Sequence, residues 1–318
     1  MPMRRVIARL TSAATLALMC SAVPAAYPEK TIEIFYPFPP GNDTDAAGRL
    51  LAQSIGKRLG VTVQLLNKPG GAGVVGTSDF VKVKPDGYTI GLLPMGPALT
   101  QIIAGATPYA RTALVPISPF MDTPFVIAAR GNAPFKTMKE LAAYAKSGKS
   151  VVLGGYSPAA APTLVMHRIA QADGWNFKVV AFPNPNSATL TAGDADIVTT
   201  GGQMIAGQVK AGDVRPLVAM APKRLSNYPD LPTVAEAGYN VDAAIWSGLF
   251  APAGTPRDII DRLNVAIREA MAEPALQDYA QKTGAMFRHE TPETFEAQIR
   301  AAEGWIRPLM ESLGLVKK

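Results

Sequence analysis

Residues 31–59 read TIEIFYPFPPGNDTDAAGRLLAQSIGKRL, and the order of strand, tight turn and helix in this stretch decides the fold class. Thr31 to Tyr36 are apolar or β-branched enough for a strand. Pro37, Pro39 and Pro40 end any ladder, because proline has no N–H to donate. Gly41 turns the backbone. Asn42 and Asp43 are good N-cap residues, and Asn42 with Asp45 reads as a capping box with a short acid. Beyond Thr44, the residues Ala47, Leu50, Leu51, Ile55 and Leu59 fall at helical spacing, and Gly60 ends the helix. The first turn of a helix leaves N–H groups unpaired at the positive end of the macrodipole, so such a turn can hold an anion without a cationic side chain. Gly41–Asp45 is therefore a candidate carboxylate-binding turn. A well-capped helix with no ligand competes evenly with it, since strand–turn–helix units are common.

Working outward, the alternation continues. Val61 to Leu66 reads as a strand, Asn67–Gly73 as a glycine turn, Val74–Val83 as a helix and Tyr88–Leu93 as a strand closed by Pro94-Met95-Gly96-Pro97. Residues 105–125 read as a loop with four prolines, followed by a strand at Phe125–Ala129 and a boundary at Arg130–Pro134. A helix at Thr137–Lys146 precedes a second strand–helix cycle from Ser150. Its strands fall at Val151–Leu153, Val179–Phe182, Asp196–Thr200 and Leu217–Met220, with helices at Ala159–Asp173, Ser187–Ala192 and Met204–Ala211. A short helix is expected at Thr233–Ala237, a strand at Ile245–Ala251, and helices at Arg257–Met271, Ala275–Thr283 and Pro292–Leu313. This pattern predicts an α/β protein with ligands at the carboxyl ends of its strands.

The chain has 318 residues and a formal charge of +6. Arg4, Arg5 and Arg9 stand before an apolar run from Leu10 to Val23 that is too short to span a bilayer, and Val23-Pro24-Ala25 offers a cleavage site before Ala26. Residues 1–25 are expected to be a cleavable export signal, which places the mature protein in the periplasm. Subtracting the three arginines leaves +3, too mild to argue for nucleic acid. Cys20 is the only cysteine. Met19 before it is not small, which argues against lipidation, and loss of Cys20 with the signal removes thiolate chemistry.

Catalytic patterns are wanting. His167 and His289 lack metal spacing and read as structural or surface residues. Asp43 and Asp45 could be a carboxylate pair, but both sit where acids stabilise a helix start. No nucleophile elbow and no Walker loop occur. Gly71, Gly73 and Gly76 match a dinucleotide fingerprint, but in the second strand–helix unit and without the following ribose-binding acid; close helix–sheet packing is the favoured reading. Core packing is the default for Trp246 and Phe182, either of which could instead line a pocket. No cofactor and no metal is expected, and the chain is not expected to be an enzyme.

Tyr36–Asp45, Asn67–Gly73, Pro85-Asp86-Gly87-Tyr88-Thr89, Pro232–Gly238 and Trp246–Pro256 together resemble, in this order, the landmarks of the periplasmic solute receptors of tripartite tricarboxylate transporters, the Bug-type proteins. The resemblance runs from about Tyr27 to the C-terminus. It implies a type II-like Venus flytrap, with two α/β lobes and a ligand cleft between them. Residues 26–129 and 246–318 would form the first lobe and 130–245 the second, hinged near Arg130 and Asp242–Trp246. One carboxylate of the ligand would be held by backbone and water at two turns. The first supplies Phe38, Pro40, Gly41, Asn42, Asp43, Thr44 and Asp45. The second supplies Tyr156, Ser157, Ala159, Ala161 and Thr163. Pro94, Met95, Gly96, Gly201, Gly202 and Gln203 would face the cleft from other strand ends, with Phe182 beside them. The implied partners are a small carboxylate or related organic solute and membrane permease subunits, for a monomeric receptor. A ligand sensor feeding a signalling protein and a periplasmic hydrolase are the rivals. Asn42 stands where the family usually has a second glycine. Pro158 and Pro162 stiffen a second turn that is usually rich in Gly and Ser, and Phe182-Pro183 stands where the strand end is usually Pro-Tyr and a glycine.

Overall fold

A computed structural model describes residues 27–241 and 243–317; the expected export signal and Asp242 lie outside them. The opening unit is as the sequence dictates. Strand β1 (Ile32–Tyr36) runs into helix α1 (Asp43–Leu59), and β2 (Val63–Asn67) returns parallel to β1, from Ile32 opposite Val63 to Tyr36 opposite Asn67. Asn42 caps α1 by accepting the Asp45 N–H at 3.0 Å, and Gly60 closes it in the left-handed conformation. Leu51 and Ile55 on its inner face are fully buried, a contribution of about 1.5–3 kcal/mol each.

Helix α2 (Val74–Phe80) and strand β3 (Thr89–Pro94) follow. Gly76 lies so close to the sheet that a Cβ there would stand 2.3 Å from the Lys68 carbonyl oxygen, which accounts for the glycine by packing. A single π-helical turn (Gly96–Thr100) leads into α3 (Gln101–Ile103) and then β4 (Leu114–Asp122).

β4 corrects the loop reading of residues 105–125. Pro116 and Pro119 lie inside a buried nine-residue strand. It pairs antiparallel with β10 (Trp246–Pro252), and the register slips beside both prolines, between Gly248 and Ser247 and between Phe250 and Leu249. On its other side β4 pairs with the two-residue β11 (Met286–Phe287) at Met121 and Asp122, and Arg288 N–H adds a bond to the Phe120 carbonyl at 2.9 Å. Bulges and an open edge are where a strand tolerates proline.

The second half contains β5 (Phe125–Arg130), α4 (Met138–Lys146), β6 (Val152–Gly155), α5 (Ala161–Ala172), β7 (Lys178–Ala181), α6 (Ser187–Thr191), β8 (Ile197–Gly201), α7 (Ala206–Ala211) and β9 (Val214–Met220). Helices α8 (Arg257–Met271), α9 (Pro274–Thr283) and α10 (Pro292–Ser312) end the chain. The short helix expected at Thr233–Ala237 is a turn instead, closed by Ala237 N–H to the Thr233 carbonyl at 2.9 Å.

Two mixed sheets result, in the orders β11-β4-β10-β3-β1-β2 and β7-β6-β8-β5-β9. The two-lobe α/β fold is therefore present. Because β5 pairs with β8 and β9, the chain first crosses between sheets at Thr123-Pro124. Arg130 does not stand at the crossing: it ends β5 opposite Val214, with its guanidinium 3.8 Å from Asp196. The return crossing lies alongside the first, where Thr123 N–H donates to the Ile245 carbonyl at 2.7 Å. Trp246 packs edge-on to Phe295 in the core, in keeping with its default reading.

Candidate functional site

A cleft of about 330 Å³ opens between the two sheets, beside the first crossing. The first half contributes Tyr36, Phe38, Asn42, Asp43, Thr44, Pro94, Met121 and the Thr283–Ala285 loop. The second contributes Phe125, Tyr156, Gly201 to Met204, Leu225 and Asn227, with Thr123 and Pro124 at the join. The geometry follows from topology: β1, β3, β6 and β8 all end here, and each hands over to a turn.

The first turn is heavily cross-linked. Tyr36 Oη donates to Asn42 Oδ1 at 2.9 Å, and the same oxygen accepts the Asp45 N–H. The capping box is not closed in the standard way. Asp45 Oδ2 accepts the N–H of Gly41 at 3.0 Å, one residue before the cap. Asp45 also accepts from Asn67 Nδ2 at 2.8 Å and from Arg49 through two nitrogens at 3.1 and 3.2 Å. Burial works against this carboxylate, but the bonds from Asn67, Gly41 and Arg49 outweigh it and hold its pKa below the usual value. Asp45 is thus an internal cross-link, and it does not line the cleft. Three N–H groups are left over: those of Asn42, Asp43 and Thr44 have no hydrogen-bond partner among the described residues. They lie on cleft-lining residues, at the start of α1.

The second turn is built differently. Helix α5 starts without a side-chain cap at Ala160, and Pro162 supplies no donor. Ala160 N–H is already spent on the Ser157 carbonyl at 3.2 Å. Thr163 Oγ1 and Thr199 Oγ1 are buried without hydrogen-bond partners. Both flank Gly155, whose missing Cβ would fall 2.8 Å from the first and 3.7 Å from the second.

Of the residues expected at the ligand, the structure brings Phe38, Asn42, Asp43, Thr44, Tyr156, Gly201, Gly202 and Gln203 together in the cleft wall. Pro40 and Gly41 are exposed outside it, Met95 is buried in the core, and Gly96 leads the π-helical turn behind it. Ser157, Ala159, Ala161, Thr163 and Phe182 are not in the wall. Phe182 instead extends β7 by donating its N–H to the Gly155 carbonyl at 2.8 Å. Pro94, expected to face the cleft, does line it; Tyr36, Met121, Thr123–Phe125, Met204, Leu225, Asn227 and Thr283–Ala285 line it without having been anticipated. The strand signal at β4 could have supplied Met121 to Phe125 had its prolines been read as bulges. The loop after α9 carries no signal of its own.

The lining is mostly apolar, and among the described residues it holds no Lys, Arg or His. Burial raises the Tyr36 hydroxyl to about 12 and pushes Tyr156 up as well, so both stay protonated donors at neutral pH. Gln203 Nε2 donates to the Thr283 carbonyl across the cleft, joining the two halves. Both histidines lie elsewhere. His167 stacks on Phe177 at 4.4 Å, and burial pulls its pKa down to about 4. His289 Nε2 sits 3.2 Å from the Asn264 carbonyl oxygen, and burial lowers it too. No group of three or more metal-ligating side chains occurs among the described residues.

Comparison with known proteins gives this arrangement a family. The profile of the "Tripartite tricarboxylate transporter family receptor" proteins matches residues 47–298. The chain belongs to that receptor family. Among curated relatives of the receptors, a UPF0065 protein of Bordetella bronchiseptica is 27% identical over 94% of this chain and 91% of its own length. Protein BugT of Bordetella pertussis is 28% identical over 84% of each. Among solved receptor structures, a TctC solute binding protein from Polaromonas superposes with a TM-score of 0.77 at 26% identity, covering 90% of this chain and 99% of its own. The periplasmic binding protein BugD superposes at 0.73 with 30% identity, covering 92% and 100%. An R. palustris protein with adipate shares the fold at a TM-score of 0.73 and 22% identity, covering 91% and 98%.

Proposed function

We propose that this receptor is exported to the periplasm, binds a small organic carboxylate in the cleft between its lobes, and delivers it to a tripartite tricarboxylate-type membrane permease. The observation that carries the reading is the trio of unpaired N–H groups on Asn42, Asp43 and Thr44 at the start of α1, opening onto an apolar cleft. Main-chain donors at a helix start bind a carboxylate without a counter-ion. Family membership and the likeness to BugD, a periplasmic binding protein, support the same reading. The lobes are residues 27–123 with 246–317, and 125–245. They close about the paired crossings at 123–124 and 243–245, because a ligand touching both walls favours the closed state. The ligand leaves unchanged; no reaction is part of the cycle.

Calorimetry with a panel of carboxylates, neutral solutes and amines tests this. Carboxylates should bind and the others should not. Stabilisation by a neutral or cationic solute alone would overturn the carboxylate reading. Mass measurement of the chain recovered from the cell envelope should give a mature protein starting at Ala26.

A further inference from the structure

The aromatic rings of the cleft wall narrow the ligand further. Tyr36 and Phe38 line the cleft from the first lobe, with ring centroids 5.7 Å apart. Tyr36 Oη is bonded to Asn42 Oδ1, so this pair lies beside the three free N–H groups. Phe125 and Tyr156 line it from the second lobe, 6.0 Å apart and edge to face. Each lobe thus brings one ring pair to the cleft. Gly201 stands opposite Phe125 in the sheet and has no side chain to cover it. A Cβ there would touch only Met204, at 3.7 Å from its Cγ. Met204 is itself 41% exposed, a large apolar side chain left open in the wall. Uncovered apolar surface with a few convergent polar groups marks a ligand site.

The side chains also decide which apolar body fits. A flat ring gains edge or face contact with each aromatic neighbour, about two- to twelvefold in affinity per contact beyond the area it buries. A thioether favours a ring edge in the same way. An alkyl chain of equal carbon number makes neither contact and must also freeze its torsions. A body carrying several hydroxyls or further carboxylates would lose water against these side chains, and the described wall holds no Lys, Arg or His to answer the charge.

Resting on the carboxylate reading above, we infer that the cleft is built for an aromatic carboxylic acid, with its carboxylate on the N–H groups at the start of α1 and its ring clasped between the Tyr36–Phe38 pair of one lobe and the Phe125–Tyr156 pair of the other.

Probes of matched carbon number test this. Benzoate, cyclohexanecarboxylate, heptanoate and benzamide form one set; cinnamate, 3-cyclohexylpropanoate, nonanoate and cinnamamide form a longer one; adipate is the aliphatic diacid. All are titrated calorimetrically into the full mature chain and into its Phe38→Leu and Phe125→Leu variants, which remove a ring and keep apolar bulk. In the native chain the aromatic acid of at least one set should bind at least tenfold more tightly than the alkyl acid of that set, and at least threefold more tightly than the saturated ring. Each variant should weaken the aromatic acid at least threefold and leave the saturated ring within about twofold. Melting temperatures confirm folding, and the comparison within the native chain needs no variant. Saturated or alkyl acids that bind as tightly as the aromatic ones, variants that weaken all acids alike, or binding of adipate without any aromatic acid overturn the ring clamp while the carboxylate reading stands. Amides that bind as tightly as their acids overturn the carboxylate reading. If none of the probes binds, both readings fail.

Discussion

Two turns face the cleft from opposite lobes, and they are built on opposite plans. The first, after β1, is held by side chains: Asn42 caps, Tyr36 braces the cap, and Asp45 ties Gly41, Arg49 and Asn67 together. The second, after β6, has no side-chain cap, two prolines, and in Thr163 a buried hydroxyl with no hydrogen-bond partner. The difference teaches where rigidity is stored. A cross-linked helix start presents its remaining N–H groups in one fixed arrangement, which is what an anion site needs before any ligand arrives. The uncapped turn leaves its polar groups unmatched and contributes little order of its own.

The largest effect that would break this contrast is at Asp45. Asp45→Ala should cost about 3 kcal/mol in urea unfolding, because it removes the buried carboxylate that Asn67, the Gly41 N–H and Arg49 all bond. A loss under about 1 kcal/mol would mean that the first turn is no better held than the second.

The lobes should also separate on acidification. His167 on α5 has a depressed pKa through burial, so the unfolded chain takes its proton first. The stability it contributes is present above pH 6.5 and lost as pH falls towards about 4. Asp45 is depressed below 3.8, so its contribution is lost only below that value. His167→Gln should flatten the loss of stability in the upper window, and Asp45→Asn the loss in the lower one. Urea midpoints measured from pH 8 to pH 3 check both, and interchange of the two windows would contradict the assignment.

Smaller changes should repair the second turn. Ala160 has the extended backbone of a capping residue, with φ −67° and ψ 138°. Ala160→Ser should therefore stabilise by about 0.5–1 kcal/mol. Thr163→Val replaces an unpartnered buried hydroxyl by a methyl group of the same shape, and should leave stability unchanged or raise it by up to about 1 kcal/mol. A clear destabilisation, read from thermal melts, would show that Thr163 has a partner after all.

The same contrast explains what could be read from the amino-acid sequence. The first turn was legible because its chemistry is local: Asn42, Asp45 and Gly60 lie within one helix of each other, and the spacing of Leu51 and Ile55 fixes the buried face. The alternation of strands and helices was legible for the same reason. β4 was not, because a strand containing Pro116 and Pro119 depends on a bulged partner more than a hundred residues away. The cleft wall was half legible. Phe38, Asn42 to Thr44, Tyr156 and Gly201 to Gln203 sit at strand ends, where topology puts ligands. Leu225, Asn227 and the Thr283–Ala285 loop reach the cleft only through the packing of distant connectors. Asp45 was placed at the ligand although its carboxylate is spent inside the turn, since proximity along the chain does not reveal which way a side chain is bonded.

Helix α10 carries a final consequence. It packs on β4 in one half and on α5 in the other, with Ile306, Leu309 and Met310 sharing a core with Leu164, Val165 and Ile169. Arg168 lies over the Trp305 ring at 5.4 Å, on the same seam. A strut fastened to both jaws restricts the stroke between them. If the lobes open about the paired crossings as proposed, the seam of α10 with α5 has to slide as they part.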